Sequence, residues 1–469
     1  MDILAEAPLL PVFGALVLGV CLAHGSPHWV VAAVVMALCL GFVVSLCSRW
    51  DLRRGLSALL VVCLSGIVGW LCSRGLTVPS PPETVNCSGT VVLERAWGGR
   101  RAMVVQTDMG RFLVTVPAFR SLPEGSAVRL VGPTFPFRPS RKGGFDQRMY
   151  WLARGVTAEV IPRSLTPLRS RWSLNVLRWE LRRRILLRLP PRTRGYLLAM
   201  LLGVKDPDLI RDHSRWGTAH LLAVSGFHVG VVAAWAWFFL GRRRLGWGLV
   251  SLIVWGYVLL AGGAASALRA AVMIQLVLLG VAHGRPASGV NSVAAAGTAL
   301  LVWRPWWLWD LGWQLSMLCA TTITALAKVS TLSGRVRCVL VSPALWFVTA
   351  PLIAGAFGSV PLAGLLLNLV AVPVFAVLLP LAVFLSIPAV LGLPGGWVLA
   401  AVPEKAFALW DLGAWIVWRW PSIGCSPWLS ALSASVLAAL LALRFRISPF
   451  RACLTFGVIV VLVGSIVLF

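Results

Sequence analysis

Three histidines form the densest polar cluster within an otherwise apolar stretch: His213, His220 and His228. Ionisable side chains at membrane depth are costly, so they usually face a cavity. His213 and His220 are seven residues apart and are expected on one helix face, whereas His228 is rotated away. A metal site here needs another ligand from elsewhere. The cluster is the first functional candidate, and a membrane-embedded, metal-dependent hydrolase is an alternative function.

Ser225 lies between Val224 and Gly226 in the same stretch. A serine nucleophile is not predicted, because the Gly-x-Ser-x-Gly elbow and an identifiable acid partner are both missing. Gly226 and Gly230 have the Gly-x-x-x-Gly spacing of closely packed helices, so these small residues predict helix packing. No catalytic residue is predicted.

Further polar residues lie in apolar segments downstream. Arg269 is surrounded by small residues near the start of a predicted helix, where it either lines an anion path or extends to the membrane interface. Gln314 and Ser316 lie within another apolar segment, where hydrogen bonding between helices is the default role.

Several motifs are missing from the sequence. No Lys lies in a Gly-x-x-x-x-Gly-Lys-Ser/Thr loop, so any ATP-driven step is expected to belong to a partner. No His-x-His-x-Asp-His run and no Cys-x-x-Cys pair occurs, so neither a binuclear metal site of that kind nor a zinc site is predicted. No cofactor is predicted.

Composition indicates a polytopic α-helical membrane protein. The 469 residues are 58% apolar and 12% charged, and the mean hydropathy is +0.85. Repeated apolar stretches of about 18 or more residues are long enough to cross the hydrocarbon layer as helices. The net charge of +26 suits nucleic acid or anionic lipid headgroups, although basic cytoplasmic loops also produce such an excess.

The pattern divides the chain into four parts. Residues 1–76 contain three apolar segments, at 8–23, 28–47 and 55–73. The first is expected to be a retained helix, since the basic start of a cleavable signal peptide is missing. The basic loop at 48–54 is predicted to be cytoplasmic, which places the part that follows on the extracytoplasmic side.

Residues 77–162 predict a small β-domain inserted between the membrane segments. Alternating apolar residues indicate five strands, at 85–95, 102–107, 111–116, 127–131 and 156–161. This number of short strands suits a small barrel of the oligonucleotide-binding (OB) type, and a generic β-domain fits the pattern nearly as well. Its candidate DNA-binding residues are Trp97, Arg100, Arg101 and Arg111.

Residues 163–194 predict a basic amphipathic helix at the membrane interface, ended by Pro190 and Pro191. It either lies on lipid or forms a phosphate-binding ledge. Residues 195–469 predict a second membrane block of about eight segments, with basic cytoplasmic turns at 242–244, 328–337 and 444–446. Prolines between 357 and 425 fit either interrupted helices or ordinary kinked spans.

Five segments, in order, resemble the ComEC family of competence proteins. The stretch from His220 to His228, HLLAVSGFH, resembles the family's HLLAISGLH signature, with Phe227 where Leu is usual. SALRAA at 266–271, DLGWQLS at 310–316 and NLVAVP at 368–373 are similar to further family motifs, and FDQRMYWLARG at 145–155 resembles the end of the family's extracytoplasmic β-domain.

This resemblance implies an inner-membrane channel for single-stranded DNA during natural transformation. The candidate DNA path is then formed by residues of the matched motifs: His220, Ser225, His228, Arg269, Gln314, Ser316 and Asn368. Many family members carry a C-terminal metallo-β-lactamase-like domain, and the sequence stops at Phe469, so nuclease activity is not expected from this chain. Expected partners are single-stranded DNA, membrane lipids, a DNA receptor, a cytoplasmic motor ATPase and a separate nuclease. A transporter of other anionic substrates is a further alternative.

Overall fold

A computed structural model describes residues 9–23, 64–69, 71, 81–97, 99–137, 147–169, 172–241, 245–284, 288–329, 332–417, 420–424 and 426–445. Helix α1 spans Leu9–Ala23, as predicted for the first apolar segment. The second predicted segment, 28–47, lies outside the described residues. Of the third, residues 64–69 are helical and pack closely on α1: a Cβ added to Gly69 would lie 2.4 Å from the backbone oxygen of Leu16.

The β-domain contains a six-stranded sheet. Its strands are β1 (Thr84–Trp97), β2 (Arg100–Thr107), β3 (Gly110–Val116), β4 (Ala127–Phe135), β5 (Val156–Val160) and β6 (Ser164–Leu168). The sheet order is β1-β2-β3-β5-β4-β6, and β1 also pairs with β4, so the pairings of the first five strands form a circuit. All are antiparallel except β3 with β5.

The five predicted strands are confirmed, and β6 was missed. β6 is short and largely exposed, and it contains Pro167, which removes a backbone donor. Such a strand has little apolar alternation for a pattern to detect. Among the described strands it pairs with β4 alone, at the end of the sheet order, where a proline is tolerated.

Alternate residues of the strands fill the interior of the β-domain. Val91, Met103, Val105 and Leu130 are among the fully buried members of this core. Helix α2 (Gln147–Leu152) precedes β5 and places Trp151 in a second apolar cluster on the other side of β2. The domain is therefore stabilised by apolar burial on both faces of part of its sheet.

Helix α3 (Leu174–Arg188) confirms the predicted basic helix and its end before the prolines. The Ser173 hydroxyl caps its N-terminus by accepting from the Val176 N–H. Ile185 is buried, whereas Leu187 is exposed. The helix contacts both parts of the protein, and its contact with lipid stays a prediction.

The helical block follows. It contains α4 (Pro191–Leu197), α5 (Pro207–Trp216), α6 (Gly226–Leu240), α7 (Gly246–Leu260), α8 (Ala265–Ala282), α9 (Gly289–Trp303), α10 (Leu311–Ala327), α11 (Gly334–Phe357), α12 (Ala363–Leu391), α13 (Gly396–Val417) and α14 (Pro427–Phe445). Among the described residues, α8, α11 and α12 are long and apolar enough to cross a membrane. These helices fit the predicted membrane protein.

The proline-rich region contains long helices. Helix α12 continues through Pro373, Pro380 and Pro388, and α13 continues through Pro403. Strands β7 (Ser359–Pro361) and β8 (Ser422–Gly424) pair with each other outside these two helices. The helices thus continue through these four prolines, and their path through the membrane stays a prediction.

Candidate functional site

Ser225 and His228 form the N-terminus of α6. The Ser225 N–H donates to His228 Nδ1 at 3.3 Å, and the Ser225 hydroxyl is 3.1 Å from the same nitrogen. Because Nδ1 accepts the backbone donor, the neutral ring carries its proton on Nε2. His228 is fully buried. Ser225 is therefore the N-cap of α6, and His228 completes the cap from the first turn.

Arg269 projects from the first turn of α8 and is 5% exposed. Its Nε donates to the Ser316 hydroxyl oxygen at 2.9 Å, Nη2 contacts the same oxygen, and Nη1 is 3.0 Å from the sulfur of Met273. No carboxylate in the described part of the chain forms an ion pair with this guanidinium. A buried cation without an anion is costly, so this position favours an incoming anion.

Three separate helices meet at Arg269. A Cβ added to Gly226, the first residue of α6, would lie 3.0 Å from Arg269 Nη2. The Ser266 hydroxyl donates to the Val224 carbonyl at 2.9 Å, which holds α8 against the chain entering α6. Ser316 belongs to α10. The guanidinium thus lies beside the positive end of a helix dipole, and both features attract negative charge.

The predicted packing glycines differ from each other. Gly226 needs to be small, because the neighbouring Arg269 leaves little space for a side chain. Among the described residues, no atom outside the backbone of its own helix lies within 4 Å of a Cβ added to Gly230. The Gly-x-x-x-Gly spacing therefore indicates close packing at Gly226 only.

Two candidate path residues make contacts elsewhere. The Gln314 side chain donates to the Leu308 carbonyl at 2.7 Å and so holds the turn before α10. The Asn368 side chain donates to the Gly217 carbonyl at 3.4 Å, while its buried oxygen has no partner. The structure thus brings together Ser225, His228, Arg269 and Ser316 of the seven candidates.

The predicted shared helix face of His213 and His220 is wrong. Helix α5 ends at Trp216, because Gly217 adopts a left-handed conformation with φ of 72° and terminates the helix. His220 lies in a separate short 3₁₀ helix, where it is exposed. His220 nevertheless lies near both His213 and His228.

His213 belongs to a buried hydrogen-bond chain that the sequence did not indicate. Its Nε2 is 2.7 Å from the Tyr196 hydroxyl, which donates to Asp411 at 2.6 Å. Its Nδ1 is 2.9 Å from the Thr218 hydroxyl. Arg192 pairs with the same Asp411 at 3.0 Å. Tyr196 and Asp411 are 215 residues apart, so no local spacing relates them.

The histidine cluster is not arranged as a metal site in the described residues, among which no group of three His, Cys, Asp or Glu side chains is positioned to hold a metal. Both ring nitrogens of His213 already contact hydroxyl groups. A metal at His213 would have to displace Tyr196 or Thr218.

The β-domain candidates have different surroundings. Arg101 pairs with Glu94 at 3.1 Å. Arg111 donates to the Gln106 side chain at 2.6 Å and to the Arg154 carbonyl at 3.1 Å. Trp97 is half-buried, with its ring 5.1 Å from that of Trp151. Arg100 is exposed at the start of β2.

Comparison with known proteins identifies the family. A family model described as a competence protein matches residues 200–462, which include α6, α8, α10 and α12. The chain belongs to the competence protein family. ComE operon protein 3 of Bacillus subtilis (strain 168) is 31% identical over 135 residues, and the alignment covers 27% of this chain and 17% of that protein. No solved structure matches the chain.

The competence family model covers the residues around Arg269 but not the β-domain. The recognition based on sequence motifs is confirmed, and the chain matches less than a fifth of the length of the Bacillus relative.

Proposed function

We propose that this competence-family protein passes single-stranded DNA across the cytoplasmic membrane during natural transformation. The family match supports a role in DNA uptake, and the apolar helices supply a membrane-embedded block. Translocation requires binding and release of phosphate groups rather than covalent chemistry. The protein therefore acts as a path, without a catalytic step of its own.

The buried guanidinium of Arg269 carries this proposal. A strand crossing a membrane needs positive groups inside the protein that replace the water around its phosphates. Arg269 has two contacts to one neutral hydroxyl and no acidic partner in the described residues. Its charge is thus available to a phosphate, with the α6 N-terminus nearby. A passing phosphate can therefore contact the guanidinium of Arg269, which has no acidic partner among the described residues. The phosphate can leave again because the guanidinium keeps its hydrogen bonds to the Ser316 hydroxyl.

The β-domain is proposed to be an OB-type barrel on the extracytoplasmic side. The circuit of pairings through β1, β2, β3, β5 and β4, with β3 and β5 parallel, supports the barrel. The basic loop at 48–54 supports the sidedness. Strand separation and pulling are proposed to come from other proteins, namely a nuclease and a motor ATPase.

Deletion of the gene tests this function. DNA carrying a label on each strand is supplied to the organism, and surface-bound and nuclease-resistant label are measured separately. Loss of internalised label with unchanged surface capture is the expected result. Wild-type internalisation in the deletant would contradict the proposal.

A further inference from the structure

The β-domain and the helical block meet at two places that differ in charge. At the first, Arg178 and Arg182 of α3 contact carboxylates of the β-domain: Arg178 is 3.7 Å from Glu124, and Arg182 is 2.8 Å from Glu94. Arg178 also donates to the Leu202 carbonyl. Glu94 also pairs with Arg101, so each of these three arginines has an acidic partner, as expected for a structural joint.

At the second place the indole N–H of Trp307 donates to the Ala153 carbonyl at 2.8 Å. We name the basic side chains around this contact the junction cluster: Arg95, Arg111, Arg154, Lys205 and Arg304. Three come from the β-domain, whereas Lys205 precedes α5 and Arg304 follows α9.

The members of the junction cluster lie close to one another. A Cβ added to Gly155 would be 3.7 Å from Nη1 of Arg304 and 4.0 Å from Nη1 of Arg111. Arg111 donates to the Arg154 carbonyl. Burial lowers the pKa of Lys205, and the charges of Arg95 and Arg154 lower it further. Like charges held this close repel each other unless an anion lies between them.

Acidic groups do not balance the junction cluster. Arg154 pairs with Asp310 at 3.5 Å, and this is the only ion pair that the cluster makes with a described residue. Five cations therefore face one carboxylate. The excess positive charge lies at a joint between two parts of the protein, where an anion has contacts on both sides.

Aromatic rings hold several of these cations in place. Arg154 stacks on Tyr150 with its guanidinium carbon 3.6 Å from the ring centre, and Arg95 lies 5.4 Å from the centre of Trp97. Arg304 lies 4.7 Å from the centre of Trp303. A guanidinium stacked on a ring keeps N–H groups at its edge for hydrogen bonding. Lys205 is exposed, and it lies close enough to Arg95 and Arg154 for their charges to lower its pKa.

We propose that the junction cluster binds the phosphate backbone of a single DNA strand where it passes from the β-domain to the helical block. This rests on the proposed uptake function and adds an entry site to it. A flexible single strand can bend to contact several of these cations and to stack a base on a ring, whereas a rigid duplex contacts fewer of them. The strand then continues towards Arg269.

Binding of a fluorescent oligothymidylate of about 16 nucleotides to the full chain in nanodiscs tests the proposal. Fluorescence anisotropy is measured over a series of salt concentrations for the wild type and for the double variant Lys205→Gln/Arg304→Gln. Each lost phosphate contact reduces the slope of log affinity against log salt by about 0.7. In the double variant, which lacks two cations, this slope is expected to be smaller by about 1.4. Its affinity for the oligonucleotide is expected to fall by about fivefold for each cation removed. Arg211→Gln is the matched control, because Arg211 is an exposed arginine that pairs with Asp208 outside the cluster.

The outcomes distinguish this inference from the uptake function. If the wild type binds the strand and the double variant keeps its slope, the junction proposal fails while the uptake function stands. If the wild type does not bind the strand at low salt, the uptake function fails. Equal affinity of the wild type for a duplex of the same length would also overturn the proposal. So would a loss of oligonucleotide affinity in the double variant that occurs only in nanodiscs containing phosphatidylglycerol. Gel filtration of both variants shows whether they remain folded.

Discussion

We expect the substitution Arg269→Met to keep the stability of this protein and to reduce its transport of DNA. The substitution removes the guanidinium but keeps an unbranched side chain. The contacts of Arg269 with the Ser316 hydroxyl stabilise the folded state by about 1.5–3 kcal/mol. Burial of the charge costs several kcal/mol, and no described carboxylate offsets it. We therefore expect the thermal unfolding temperature of Arg269→Met in detergent to equal or exceed that of the wild type.

The same variant is expected to lose transport. A charge-assisted hydrogen bond from Arg269 to a phosphate is worth about 1.5–3 kcal/mol, which corresponds to about a 10- to 150-fold change in rate. Transformation frequency is the assay, with protein level in the membrane measured in parallel. Arg215→Met is the control, since Arg215 is an exposed arginine on α5. A large loss of stability, or an unchanged transformation frequency, would refute the reasoning.

Three further substitutions test other parts of the structure. Tyr196→Phe removes the hydroxyl between His213 and Asp411, so that both groups lose a hydrogen bond. Each loss is expected to lower the free energy of unfolding by about 1–3 kcal/mol, which is measured as a lower unfolding temperature. Gly217→Ala places a Cβ 2.8 Å from the α12 backbone at a positive φ, so lower yields of folded protein are expected on gel filtration. Burial raises the pKa of Glu124 above its ordinary value, so its contribution to stability is greatest at low pH and is lost as the pH rises through that raised pKa. The unfolding temperature of the wild type minus that of Glu124→Gln should therefore be larger at pH 5 than at pH 8.

Local patterns predicted the elements of this fold well. The strands of the β-domain and the basic helix α3 follow from alternation, spacing and the prolines at 190 and 191. Gly217 follows the last apolar residue of α5 and marks its end, whereas the seven-residue spacing of His213 and His220 predicts one helix across it. The strand β6 carries too few apolar residues to be recognised.

Long-range contacts at the site were beyond local reasoning. The motifs containing Ser225, Arg269 and Ser316 were all recognised, but their convergence depends on helix packing between segments about 40 or more residues apart. Gln314 shares its motif with Ser316, and Asn368 belongs to a further matched motif, yet both make contacts away from Arg269. The two joints between the β-domain and the helical block depend on residues from distant segments, and no spacing in the sequence relates Lys205 to Arg95 or Arg154.

The central claim is that a DNA strand passes next to Arg269. A photo-crosslinking amino acid at Met273, whose sulfur is 3.0 Å from Arg269, tests it in cells that are taking up labelled DNA. Leu279 is the control position, because it is exposed on another face of the same helix. We expect crosslinks to single-stranded DNA from position 273 and none from position 279. Crosslinks from neither position during active uptake, or equal crosslinks from both, would contradict it.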